Sequence, residues 1–326
     1  MQRRGLIGAA GALLPLSAQT ASAQTARPWA PTRPVRIIVG VAPGVGTIDL
    51  TARSVTEAMS EALGQPVVVE NRPGAGGIIA VEAVSRAEKD GHTLLLGGAD
   101  QIVHSFLLAE RPPMDPIRDF TPIARATRDH WMVVAAPNLG VSSIAELAAL
   151  GKRRPGELTY ASFGPGTLFH LLGARLAQRL GFEGLHVPYR GDYTPDLLAG
   201  RIAYLAQPTA LLMPHVQAGR LKALAVLSPQ RLPSLPEVPT VIEAGLPDLS
   251  FNMGIILFTP GGTPPEMTGA LNAAFGRAAA NPAARARLAD LNLELVGGTM
   301  AEAADYTRWM VGFIDDMREK VLGTAR

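Results

Sequence analysis

Three short segments of the chain combine glycine with polar side chains in a way suited to holding an anion. The first is Ala42-Pro43-Gly44-Val45-Gly46-Thr47-Ile48-Asp49, which follows an apolar run and leads into a helical pattern. Glycine lets backbone N–H groups approach a ligand closely, and the free amides and dipole of a helix start favour negative charge. The plainer reading of the same residues is a tight turn with Asp49 as helix cap. The second segment is Ser162-Phe163-Gly164-Pro165-Gly166-Thr167, with His170 just inside the following helix. The hydroxyls of Ser162 and Thr167 and the amides at Gly164 and Gly166 suit a carboxylate, and Thr167 suits equally well a helix cap. The third is Val187-Pro188-Tyr189-Arg190-Gly191. Arg190 carries a fork matched to a carboxylate and Tyr189 a phenol on a flat ring; a surface arginine and a packed tyrosine would look the same. Asp100 and Gln101, at the end of Gly97-Gly98-Ala99-Asp100-Gln101, add candidate donors.

Other chemistries fit the residues less well. Gly44-x-Gly46 after a strand, with Glu70 ending the next one, imitates a dinucleotide fingerprint. The later glycine of that pattern is replaced by Asp49, whose charge would oppose a pyrophosphate. Ser162 lies outside a nucleophile elbow because Tyr160 stands where the first glycine belongs. The histidines, His92, His104, His130, His170, His186 and His215, show no metal-ligand spacing. With no cysteine in the chain, thiolate metal sites and disulfides are excluded. No metal or other cofactor is expected. Trp131 and Trp309 read as core residues.

The elements that must carry these loops alternate. Strands are expected at Val35–Val41, Val67–Glu70 and Thr93–Gly97, with helices at Asp49–Leu63 and Ile78–Ala87 between and after the first two. Near-continuous apolar runs of this kind suit a parallel sheet covered on both faces, and the βαβαβ order suggests a doubly wound α/β layer. A second series starts near Arg125. Its strands are Met132–Ala136, Leu158–Ser162, Leu185–Val187, Ile202–Ala206 and Lys222–Leu227; its helices are Ser143–Gly151, Thr167–Leu180 and one ending at Gly219. The proline-dense stretch from Pro229 to Pro247 reads as a crossing segment. A strand at Ile255–Thr259 and helices from Pro264, near Ala283–Leu291 and at Ala301–Leu322 follow, returning to the first layer.

The first residues look like an export signal. Met1 to Arg4 is basic, Gly5 to Leu16 apolar, and Ala21-Ser22-Ala23 has the small residues of a cleavage site. Arg3-Arg4 fits a twin-arginine or an ordinary secretory signal. The chain of 326 residues is long enough for two domains with separate cores. Its net charge of +2 falls to near zero without Arg3 and Arg4, and no basic, aromatic patch points to nucleic acid.

Over nearly its whole length past Ala23 the chain resembles the solute-binding receptors of tripartite tricarboxylate transporters, the Bug receptors. The likeness is carried by Arg33-Pro34-Val35-Arg36-Ile37-Ile38-Val39, by Asp49-Leu50-Thr51-Ala52-Arg53, and most specifically by Leu63 to Gly77 (LGQPVVVENRPGAGG). Asp90-Gly91-His92-Thr93-Leu94-Leu95, Tyr160 to His170 (a Y-x-S-x-G-x-G-T-x-x-H pattern), Val187 to Gly191, Pro214 to Val226, Leu235 to Thr240 and Glu243-Ala244-Gly245 add to it. The resemblance implies a periplasmic-binding-protein fold of type II, with two α/β domains and a ligand cleft between them. Residues 1–23 would be the signal and 24–34 a linker, 35–125 with 248–326 the first domain, and 126–247 the second. It implies a periplasmic, non-catalytic, monomeric receptor that grips a small carboxylate through Pro43 to Asp49 and Ser162 to Thr167. His170, Tyr189 and Arg190 stand at matching motif positions. The implied partner is a membrane permease of this transporter type, the alternative a sensor kinase reading the same ligand. The chain departs from the pattern at Val45-Gly46, where paired glycines are usual. It departs again in a shorter stretch after Gly191, at Ala203 in place of an acidic residue, and at Ala206-Gln207, where Gln207 becomes a candidate ligand contact.

Overall fold

The computed structural model describes residues 29–44, 46–98, 101–102, 114–289 and 292–323. The export signal, Val45 and Asp100 lie outside the described residues.

Two sheets organise the chain. The first has the order β11-β4-β10-β3-β1-β2, with β1 at Val35–Val39, β2 at Val67–Asn71, β3 at Thr93–Gly98, β4 at Phe120–Asp129, β10 at Ile255–Pro260 and β11 at Leu293–Gly297. The second has the order β7-β6-β8-β5-β9, with β5 at Trp131–Ala135, β6 at Leu158–Ser162, β7 at Gly184–Pro188, β8 at Tyr204–Pro208 and β9 at Lys222–Val226. The chain passes from β4 to β5 at His130, and it returns to the first sheet between β9 and β10.

The apolar runs form strands because both faces of each sheet are covered. In β1, Val35, Ile37 and Val39 enter the core under α1 (Gly46–Leu63). Ile38, one residue out of phase, packs on Ala80, Val81 and Val84 of α2 (Ile78–Ser85). Leu94 and Leu96 against Leu95 repeat the alternation in β3. A strand side-chain period of two puts successive residues on opposite faces, so an unbroken run of buried isoleucine and leucine is what a sheet between two helical layers requires. Each buried aliphatic side chain contributes about 1.5–3 kcal/mol.

The helices of the second sheet are α3 (Ile144–Arg153), α4 (Leu168–Leu180), α5 (Thr194–Leu198) and α6 (Thr209–Gln217). Those following β10 are α7 (Pro265–Ala280), α8 (Pro282–Ala289) and α9 (Met300–Leu322). Helix α9 opens with a capping box of Thr299 and Glu302. Its Met310, Ile314 and Met317 share one core with Leu168, Leu171 and Leu172 of α4, so this last helix ties the two sheets together.

The sheets depart from the sequence reading in two respects. The first is mixed: β2, β1 and β3 run parallel, but β10 lies antiparallel to both β3 and β4. Two strands, β4 and the edge strand β11, interrupt regions read as irregular. Pro122, Arg125 and Arg128 break the apolar pattern of β4, and the ladder tolerates Pro122 at a bulge opposite Leu257 and Phe258.

Candidate functional site

The registers place the loops. The last residue of β8, Pro208, pairs with Trp131, the first residue of β5 after the crossing. β6 runs parallel to β8 and to β7, so the segments after Ser162 and after Pro188 leave the second sheet at the edge where the chain crosses. In the first sheet, β4 ends at that crossing. Its antiparallel neighbour β10 begins there, Ile255 pairs with the terminal Gly98 of β3, and β1 is parallel to β3. The segments after Val39 and Gly98 therefore leave the first sheet at its crossing edge. The two sheets direct their candidate loops toward one shared seam, the usual location of ligands in open α/β sheets.

The first loop is built around Asp49, whose side chain is fully buried. Its carboxylate accepts from the Gly44 amide (2.8 Å), from Arg53 Nε (2.8 Å) and Nη2 (3.1 Å), and from Asn71 Nδ2 (2.7 Å). Asn71 also donates to the Val41 carbonyl at 3.0 Å. Burial alone would push this carboxyl up, but the hydrogen bonds from Arg53, Asn71 and Gly44 and the Arg53 charge hold it below its usual range. Asp49 is thus the organiser of the loop. Gly44 and Gly46 take φ of 73° and 74°, a region that glycine occupies freely, and Pro43 and Gly44 are exposed. What the loop offers outward is the partly exposed Thr47 and the first amides of α1, which have no intrahelical acceptor.

The second loop is held from within. Ser162 is buried; its Oγ accepts from the Gly164 amide (2.9 Å), and its one proton serves either the Gly164 carbonyl (2.9 Å) or His186 Nε2 (2.6 Å). Thr167 caps α4, accepting from the His170 amide and donating to the Gly164 carbonyl at 2.8 Å. The Gly166 amide donates to His170 Nδ1 at 2.9 Å, so the neutral ring carries its proton on Nε2. Burial, then the neighbouring His186, lowers the His170 pKa to about 4, and burial also lowers that of His186. The two rings lie 4.2 Å apart, and Tyr160 stacks on both. With these groups engaged, the donors left at this helix start are the first-turn amides of Leu168 and Phe169, which have no intrahelical acceptor.

The Tyr189 amide donates to the Ser162 carbonyl at 2.8 Å, fixing the third loop beside the second. The Tyr189 hydroxyl donates to Asp196, which also pairs with Arg201. Arg190 is exposed and has no hydrogen bond or ion pair among the described residues. Gln207 is buried in β8 and donates to the Tyr193 hydroxyl, which places it beneath the loops. Gln101 is buried against Gly77, where a Cβ would lie 2.7 Å from its Cδ.

The structure therefore divides the candidate residues. Pro43, Gly44, Gly46, Thr47, Gly164, Arg190 and the start of α4 stand at the seam. Asp49, Ser162, Thr167, His170, Tyr189 and Gln207 brace it from behind, and Gly166 is buried with them. Sequence reasoning passed over Asn71, His186 and Phe163. Asn71 and His186 are partners of Asp49 and Ser162 far along the chain, a relation no local pattern reveals.

The family model for the tripartite tricarboxylate transporter family receptor matches residues 51–318. A "UPF0065 protein in tcbD-tcbE intergenic region" of Pseudomonas sp. (strain P51) is 38% identical over 84% of this chain and 82% of that one. The solved structure of the periplasmic binding protein BugD has a TM-score of 0.78 and 31% identity, covering 89% of this chain and 98% of the other. MatC from Rhodopseudomonas palustris, solved with bound malate, has a TM-score of 0.79 and 30% identity, covering 88% and 99%. Sheets, loops and likenesses agree: the fold is that of the periplasmic binding proteins, and the chain belongs to the family of tripartite tricarboxylate transporter receptors.

Proposed function

We propose that this protein captures a small organic carboxylate at the seam between its two sheets and delivers it, without chemical change, to a tripartite tricarboxylate transporter permease. In this reading it works in the periplasm after removal of residues 1–23. Residues 35–125 with 248–326 form one lobe and 126–247 the other.

The observation that carries the reading is the convergence of two helix starts, α1 and α4, from opposite sheets. Each presents first-turn amides to the seam, and Arg190 stands beside one of them. Such amides and helix dipoles form an anion site, and a bidentate arginine adds a charge-assisted contact. Pro43, Gly44, Val45, Gly46 and Thr47 would grip from one side, and Gly164, the α4 amides and Arg190 from the other. Asp49, Ser162, Thr167 and His170 hold those groups in place. The malate held by MatC is an anion of this class. A ligand touching both lobes binds the closed arrangement better than the open one and so shifts the population toward it.

A thermal-shift screen of residues 24–326 against carboxylates, sugars and NAD tests this. A ligand that binds only the folded protein stabilises it by about 2.7 kcal/mol at a hundredfold excess over Kd. The expected result is a raised Tm with a carboxylate and none with sugars or NAD. A shift with sugars alone contradicts the proposal.

A further inference from the structure

We infer that the carboxylate this receptor takes carries an aromatic ring, which lies against Phe163. The inference rests on the receptor reading above and concerns the part of the ligand that the anion-binding amides do not reach.

Phe163 sits at the tip of the second loop, at the seam, and 46% of it is exposed although the loop around it is rooted in buried Ser162, Gly166 and Thr167. It is not loose. It meets Phe169 edge-on at 5.1 Å and 88°, and Tyr193 at 5.0 Å. Behind these, Phe169 lies on Trp131 at 5.2 Å and Tyr193 on Tyr189 at 5.5 Å. A run of rings from β5, α4, the second loop, the residue before α5 and the third loop thus ends on one outward phenylalanine. Packing on Phe169 and Tyr193 covers only part of this ring, and nearly half of it is left facing outward. A ring braced on two sides and open on the third is a rigid platform for another ring in offset or edge-to-face contact.

The charge at the seam fits the same class. Asp49 and Asp196 are both engaged within the protein, and Arg190 is an exposed guanidinium with no partner among the described residues. One cation beside two sets of amides suits one carboxylate, and the ring run suits an apolar remainder better than a second charge.

The test is isothermal titration of the mature chain and of Phe163→Ala and Phe163→Tyr with benzoate, phenylacetate, 3-phenylpropionate, malate and succinate. Phe163 packs on two rings, so a thermal melt of each variant first checks that it folds; Phe163→Tyr keeps the ring and should melt like the parent, and Phe163→Ala should melt slightly lower. The expected result is that one ring acid binds at least tenfold tighter than malate or succinate. Phe163→Ala should weaken that acid about tenfold, and Phe163→Tyr should restore most of the loss. If malate or succinate binds best and Phe163→Ala leaves its affinity unchanged, the inference is overturned while the receptor reading stands. If no carboxylate binds at all, both fall together.

Discussion

His170 shows how one side chain can brace a loop from within the fold. Its Nδ1 accepts the Gly166 amide only while the ring is neutral, and burial keeps it so by lowering its pKa to about 4. In the unfolded chain the ring titrates near 6.5. A depressed pKa means that the unfolded state binds more protons between those two values, so stability is complete above about 6.5 and is lost as pH falls toward about 4. We predict that urea midpoints decline over this window and that His170→Gln, whose amide oxygen can still accept from Gly166, declines less steeply. His186, shifted the same way by burial, keeps part of the slope. An unchanged slope in His170→Gln would show that the ring is not held neutral by folding. Asp49 behaves in the opposite chemical sense and the same thermodynamic one. Its lowered pKa gives stability that is complete above the ordinary carboxylate range and is lost as pH falls through it. Asp49→Ala removes the acceptor for Gly44 and Asn71 at a buried position, and should cost about 1–3 kcal/mol in denaturant unfolding. Arg53, half exposed, is left hydrated and adds little to that cost.

At the scale of elements, the loops depend on the helices that follow them. Thr167→Ala deletes the cap of α4 and one of the donors to the Gly164 carbonyl, so about 1 kcal/mol of stability should go with it. Frayed first-turn amides should also weaken carboxylate binding, whereas Ser143→Ala, the same kind of cap on α3, should cost similar stability with affinity intact. Equal affinity losses from the two variants would remove the special role given to α4. The Thr167 cap was legible in the sequence, as were β6 and the helix that follows it, because a hydroxyl before an apolar period is a local signal. Strand β4 was not: its burial comes from β10 and β11, more than a hundred residues away, and its proline and arginines hide the pattern. The same limit hid Phe163, which looks like any loop phenylalanine until Phe169 and Tyr193 are seen to brace it.

The whole molecule is two sheets meeting at a seam, with crossings at His130 and between β9 and β10 and with α9 packed across both. Near the first crossing, Asp129 pairs with Met253, and Arg125 donates to the Asn252 and Met253 carbonyls while lying 3.8 Å over the Tyr306 ring. These contacts join the two passages of chain to α9 and brace the crossing. We propose that a carboxylate is gripped at the seam from both sheets. Hydrogen exchange, compared with and without a saturating concentration of the carboxylate that raises Tm most, tests it directly. We predict slowed exchange at Gly46, Thr47, Leu168 and Phe169 together, with amides at the far ends of the sheets unchanged. Protection confined to one loop, or falling elsewhere in the molecule, would contradict the account.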